Sequence, residues 1–158
     1  MRLAYTALAF FVLSAALVAA ENPYLGTWKL NTEKSKYNPG PGPKDETLTF
    51  EADGNNIKRT VTGTDAQGQP IMEGGPEGIS LAWDGQEHPI NKPSDPPMTV
   101  AVTQVNPHTL HVIVKQQGKI TDTIHVVVSQ DGKTLTSRDK GTNAKGEKIS
   151  SVEVFDKE

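Results

Sequence analysis

The stretch DGNNIKRTVTGTDAQGQ, residues 53–69, and the stretch DGKTLTSRDKGTNAKGE, residues 131–147, are one pattern written twice at a constant offset of 78. Identical residues fall at Asp53/Asp131, Gly54/Gly132, Gly63/Gly141, Thr64/Thr142, Ala66/Ala144 and Gly68/Gly146. Asp-Gly ahead of an alternating run marks a two-residue hairpin turn, because both central positions favour positive φ, which Gly and Asp tolerate best. The second turn, Thr-Asp/Asn-Ala-Gln/Lys-Gly, suits a type I turn closed by a left-handed glycine. In it the Asp65 or Asn143 side chain can bond backbone two residues on. Each copy therefore reads turn, strand, turn, strand. The ungapped spacing keeps the strands equal in length and register, so the chain is a β-meander.

Working outward, helical periodicity is absent, and 11 Pro and 14 Gly punctuate the whole chain. Strands are expected near 25–30, 46–52, 56–63, 69–73, 79–84, 87–91, 98–105, 109–116, 120–129, 133–141 and 147–156. Counting one of the short middle pieces as no separate strand makes about ten. Between the first two, residues 31–45 alternate Pro39, Pro41 and Pro43 with Gly. This reads as an extended surface strap that forbids both helix and ladder. NKPSDPPM at 91–98 breaks the chain in polyproline-like form. EGGPEG at 73–78 reads as a mobile loop at the barrel mouth.

A one-residue slip sends every side chain of a strand to the other face, so register can be tested by which pairing keeps apolar faces together. Pairing across Asp131-Gly132 sets Val128 opposite Leu135, Val126 opposite Ser137 and Ile124 opposite Asp139. Pairing across Gly118 sets Leu110 opposite Val126, Val112 opposite Ile124 and Val114 opposite Asp122. The interior face starts apolar and turns polar toward one end. It continues through Ile57, Arg59 and Val61, then Ile79, Leu81 and Trp83, then Met98, Val100, Val102 and Gln104. An eight-stranded barrel just holds a small ligand and ten strands leave more room, so side chains alone are not expected to fill this interior.

The chain opens with Arg2 and then the uncharged run Leu3–Ala20, ending in small residues. That is the pattern of a secretory signal cleaved after Ala20, leaving one domain over residues 21–158 in the periplasm or outside the cell. Losing Arg2 leaves 15 basic against 19 acidic side chains. Interleaved as they are, they form no basic stripe, which argues against nucleic acid as a partner. Cys is absent, so stability in an oxidising compartment must come from a core or a closed sheet. No membrane association is expected after signal cleavage, and the chain reads as a monomer.

Chemistry finds little to work with. His111 and His125 face each other on the outer side of one hairpin, yet no carboxylate or Cys completes a three- or four-ligand set. His88 has Asp84 and Glu87 nearby, on a turn where such residues are ordinary. No metal and no cofactor are expected. There is no Gly-x-Ser-x-Gly and no Ser beside a His with a carboxylate behind it. Paired acids could be drawn from Asp122, Asp139 and Glu153 only if they share one pocket. The reading is that the protein is not an enzyme. What remains is a lining of Trp28, Leu30, Phe50, Ile57, Trp83, Val102, Val112, Ile124 and Val126, with Arg59, Gln104, Gln116 and Asp122 at its polar end.

Gly26-Thr27-Trp28-Lys29-Leu30 resembles the first strand of the calycin group, in which lipocalins carry Gly-x-Trp and fatty-acid-binding proteins often carry Gly-Thr-Trp. Val154-Phe155-Asp156-Lys157 is similar to the last strand of fatty-acid-binding proteins. With GTWKLN, the SKY-x-PGP strap, SQDGKTLT and GTNAKG in that order, the whole mature chain resembles exported bacterial proteins described as lipocalin-like. The resemblance implies an antiparallel up-and-down meander barrel, all-β, whose first-strand Trp28 plugs one end and whose cavity takes a small hydrophobic or amphipathic molecule. Two departures stand out. The helical lid of fatty-acid-binding proteins has only the strap 31–45 in its place. Their carboxylate-reading Arg-x-Tyr falls on Glu153 and Phe155, and a Glu repels a carboxylate. Whether Glu153 points inward depends on the turn at 143–146: a four-residue loop there turns Val152 and Val154 inward instead. The alternative function is an exported inhibitor or interaction module, presenting 31–45, with an exposed apolar patch near Tyr37, and 73–78 to a protein partner.

Overall fold

The computed structural model describes residues 22–90, 96–143 and 145–158. The segment 1–20 read as a signal, Ala144 and the 91–95 part of the polyproline-like break lie outside the described residues. The strands are β1 (Gly26–Leu30), β2 (Asp45–Asp53), β3 (Asn56–Thr64), β4 (Pro70–Glu73), β5 (Ile79–Leu81), β6 (Asp84–Pro89), β7 (Met98–Asn106), β8 (Thr109–Gln116), β9 (Lys119–Val128), β10 (Thr134–Thr142) and β11 (Lys148–Lys157). They form a single antiparallel sheet in the order β4-β3-β2-β1-β11-β10-β9-β8-β7-β6, with β5 also on β3. The first and last strands zip together, Trp28 opposite Lys157 and Leu30 opposite Phe155, which curls the meander round. The fold is the all-β meander expected, with no helix among the described residues.

The working number of ten has a structural reason. β4 pairs with Val61–Thr64 of β3 and β5 with Ile57–Arg59, so the two are one strand interrupted by an excursion at 74–78. This corrects the reading of 73–78 as a loop at the mouth. The excursion leaves from midway along β3, and Gly78 sits against the Arg59 carbonyl so closely that a Cβ would fall 2.6 Å from it. Ala82 and Trp83 then link β5 to β6, and these two strands are the edges that carry no ladder between them.

The twin turns take the same form at both copies. Asp65 Oδ1 accepts from the Gln67 and Gln69 amides at 2.9 and 2.7 Å, and Asn143 Oδ1 from the Lys145 and Glu147 amides at 3.0 Å each. Gly68 and Gly146 close them at φ of 88° and 81°, which a side-chain-bearing residue rarely adopts. Both are five-residue loops, since Thr64 pairs Pro70 and Thr142 pairs Lys148. A four-residue loop at 143–146 is thereby excluded, and Glu153, opposite Ser137, takes the inner face together with Phe155. The Asp-Gly turns differ from the expected pattern. Asp53 pairs Asn56 and only Gly54 of the intervening pair has positive φ, while Val128 to Leu135 is bridged by a longer loop.

Both tested registers hold. Val128, Val126 and Ile124 face Leu135, Ser137 and Asp139, and Leu110, Val112 and Val114 face Val126, Ile124 and Asp122. One end of the barrel is a packed core. Tyr24, Trp28, Leu135 and Phe155 are fully buried, with Val61, Val102 and Val128 at 1% exposure. At about 25 cal/mol per Å² of apolar surface, each large side chain there contributes about 1.5–3 kcal/mol. Tyr24 crosses this end ahead of β1, accepting the Trp28 Nε1–H on its carbonyl at 2.8 Å.

The strap does more than lie on the surface. β1 ends at Leu30, and Lys36 then takes over beside β11, exchanging both backbone hydrogen bonds with Val152 at 2.7 and 2.8 Å. The Ser150 amide donates to the Asn38 carbonyl at 2.7 Å. The prolines forbid a ladder only from Pro39 onward. Before them the strap closes the wall that a five-residue β1 leaves open.

Candidate functional site

Alternation along β2 places Glu46, Leu48 and Phe50 on one face, all buried. Their partners on β3 are Gly63, Val61 and Arg59, and β3 in turn sets Val61 opposite Glu73 on β4. Cross-strand partners share a face, so Glu46, Arg59 and Glu73 all reach the interior. Arg59 Nη1 donates to Glu73 Oε2 at 2.8 Å. Across the barrel, the inner face of β11, β10 and β9 carries Glu153, Asp139 and Asp122.

The interior therefore carries both apolar and acidic stretches. On β7, β8 and β9, Val100, Val102, Val112, Val114, Ile124 and Val126 are apolar. Val100 and Val102 are buried, while Val112, Val114, Ile124 and Val126 keep partial exposure although they point inward. The acidic side chains come from β2, β4 and β9–β11. Burial, then the fields of Glu153 and Glu73, raises Glu46 from the ordinary 4.5 to about 7, with Arg59 acting in the opposite sense. Burial and then Asp122 push Asp139 from 3.8 up to about 6. Burial and then Asp139 also raise Glu153. Tyr37, on the strap, turns inward beside Glu153 and Glu46. Its phenol is raised first by burial and then by those two carboxylates.

The residues expected to line a site separate into three groups. Val112, Ile124 and Val126 share the inner register of β8 and β9, and Arg59 takes the inner face of β3. Trp28, Phe50 and Val102 are at 0%, 7% and 1% exposure and serve the packed end, Trp28 as the plug that the resemblance implies, with Lys157 Nζ 4.9 Å above its ring. Trp83 sits on the β5–β6 link, edge-on to Tyr24 at 5.1 Å between centroids. There it lines an open depression of about 390 Å³ with Asn22, Asn55, Ile57 and Gln104.

Two placements correct the expected polar end. Gln104 pairs Leu110 and Gln116 pairs Met98, at opposite ends of the β7–β8 hairpin, and both are exposed. Gln104 lies beside the packed end because the Asn106–Thr109 turn is there, far along the strand from Asp122. The polar end is built instead from Glu46, Glu73, Asp122, Asp139, Glu153, Arg59 and Tyr37. Of these, Glu46 and Glu73 were missed in the sequence, and Tyr37 was read as part of an exposed patch. For Glu46 the signal existed, since it shares the alternation of Leu48 and Phe50.

On the outer face, His111 and His125 are cross-strand partners with ring centroids 4.7 Å apart. Among the described residues no group of three or more His, Cys, Asp or Glu side chains is placed to hold a metal ion. Nor do the described residues contain a helix long and apolar enough to cross a membrane.

No family model matches the chain, and no curated protein does. Solved structures of the same fold do. A Schistosoma mansoni fatty acid binding protein in complex with arachidonic acid superposes with a TM-score of 0.57 at 14% identity, covering 86% of this chain and 96% of that one. As-p18, an extracellular fatty acid binding protein, gives 0.54 at 13% identity, over 87% and 97%. A zebrafish ileal bile acid-binding protein complexed with cholic acid gives 0.52 at 10% identity, over 86% and 99%. The chain has a calycin-like fold.

Proposed function

We propose that the protein binds a small apolar or amphipathic molecule inside its barrel without transforming it, outside the cytoplasm, after removal of residues 1–20. The reading rests on one observation: Val112, Val114, Ile124 and Val126 point inward by register and are nevertheless partly exposed. Apolar side chains that face one another across a curled sheet at native packing density would be buried. Partial exposure there supports a space beside them, although Val112, Val114 and Val126 also pack against the core, and an apolar lining with a few convergent polar groups is the form small-molecule sites take. Arg59, Ile124, Val126 and Val112 are the residues assigned to the ligand, with Trp83 at the β5–β6 gap. The fatty acid and bile acid binding proteins that share the fold support the same class of ligand.

The alternative, a protein-interaction module, is less well supported. Its aromatic anchor Tyr37 is turned toward Glu153 and Glu46, and the strap bearing it is tied to β11 through Lys36 and Asn38. Titration with the neutral probe N-phenyl-1-naphthylamine tests the proposed reading. The expected result is saturable, one-to-one fluorescence enhancement that Val112→Trp abolishes while the fold is retained. Absence of saturable enhancement in the parent protein overturns it.

A further inference from the structure

Resting on the ligand-binding reading above, we infer that the barrel selects an amphiphile with a cationic head, an ammonium-type group, and discriminates against the carboxylates its fold would suggest. Five carboxyl groups, Glu46, Glu73, Asp122, Asp139 and Glu153, face the interior from β2, β4, β9, β10 and β11, and Arg59 is the one cation among them in the described residues. Arg59 is already engaged by Glu73 at 2.8 Å.

Glu46 gives the second, independent observation. It is 9% exposed and directed inward on the face it shares with Leu48. A carboxylate this far buried is a costly thing for a fold to keep ionised unless a positive charge meets it. Asp139 is similar: its Oδ1 is shielded from solvent and has no partner. Beside these groups, the valine and isoleucine lining of β7–β9 offers an alkyl chain its own surface. The arrangement joins an apolar lining to a set of carboxyl groups, which fits a head carrying positive charge and a tail of hydrocarbon.

Charge should therefore matter more than chain. A unit charge a few Å from an ionised carboxylate in a partly buried site is worth roughly tenfold or more in affinity. The test compares decyltrimethylammonium, decanol and decanoate by isothermal titration, all below micelle-forming concentration, at pH 8. The expected order is decyltrimethylammonium tightest by at least about tenfold, then decanol, then decanoate. Because the first probe's charge is fixed, its advantage over decanol should shrink at pH 5. There Glu46 and Asp139 take up protons, with Glu153, Glu73, Asp122, Tyr37 and Arg59 as the groups facing them. Glu46→Gln and Asp139→Asn should cut the ratio of decyltrimethylammonium to decanol affinity several-fold at pH 8.

Equal binding of decanol and decyltrimethylammonium, or tighter binding of decanoate, overturns the inference while leaving the chamber intact. Failure of all three probes to bind overturns the ligand-binding reading and the charge preference with it.

Discussion

Replacing Glu46 by Gln should make the protein more stable, and only at neutral to alkaline pH. The carboxyl is 9% exposed. Burial, then Glu153 and Glu73, hold its folded pKa near 7 against an ordinary 4.5. An acid whose folded pKa is raised binds its proton more tightly in the native state. Its contribution is therefore at its best below about pH 4.5 and is lost as pH rises through 7. A gap between 4.5 and about 7, at about 1.36 kcal/mol per unit, makes ionisation of Glu46 cost about 3 kcal/mol of fold stability. Glu153 is coupled to it and also raised, which spreads the titration over a wider pH range without changing its sign.

Gln keeps the shape and cannot ionise. The variant should match the parent near pH 4.5 and exceed it by about 2–3 kcal/mol at pH 8, on the order of 10 °C in Tm for a domain of this size. Urea unfolding followed by Trp fluorescence at both pH values measures this, with the m-value checked for constancy. The readout is the difference between the two proteins. Asp84, Glu87 and Asp131, held low by hydrogen bonds from Gln86, Lys115 and Ser129, shift both curves alike in the opposite direction. A stability difference that stays the same from pH 4.5 to pH 8 would refute the reasoning, because a buried carboxyl that does not titrate differently in the two states cannot carry it.

Three further perturbations probe the scaffold. Gly141→Ala puts a methyl against the Thr121 carbonyl and the Asp122 carboxylate, so unfolding experiments should show a loss of about 1–3 kcal/mol from forced separation of β9 and β10; a neutral result would mean the strands yield there freely. Trp28→Phe removes the donor that satisfies the Tyr24 carbonyl at 2.8 Å and leaves a void at a fully buried position. Thermal unfolding should register about 2–4 kcal/mol, and a loss under about 1 kcal/mol would show that Trp28 is not the plug. Exchanging residues 65–69 with 143–147 swaps two turns of matching hydrogen bonds, so stability should change by no more than about 0.5 kcal/mol; a large loss would mean that the repeat is one of letters without equivalent geometry.

Strand positions were legible because the signals for them are local. Asp-Gly, Asn-Ala-Lys-Gly and the alternation of Ile124, Val126 and Val128, the last set against Leu135, fix turns and faces within a few residues of themselves. What escaped were consequences of loop length and of distant closure. The excursion at 74–78 could not be placed along β3 without knowing that β4 and β5 share one partner. Glu46 shares the alternation of Leu48 and Phe50, but the approach of Tyr37 and Glu153 to it rests on contacts far along the chain. Gln104 and Gln116 lie on the inner register and still reach water, because each sits at an end of its hairpin.

The face of β11 is the case on which most depends. A four-residue connection from β10 would turn Val152 and Val154 inward and take Glu153 out of the interior. The Thr142–Lys148 pairing makes the loop one residue longer, and that single residue brings Glu153 in beside Asp139 and Glu46. Because the pleat has a period of two, no gradual adjustment lies between the alternatives. The place of Glu153 among the interior carboxyl groups thus follows from the five-residue turn that Asn143 and Gly146 hold together.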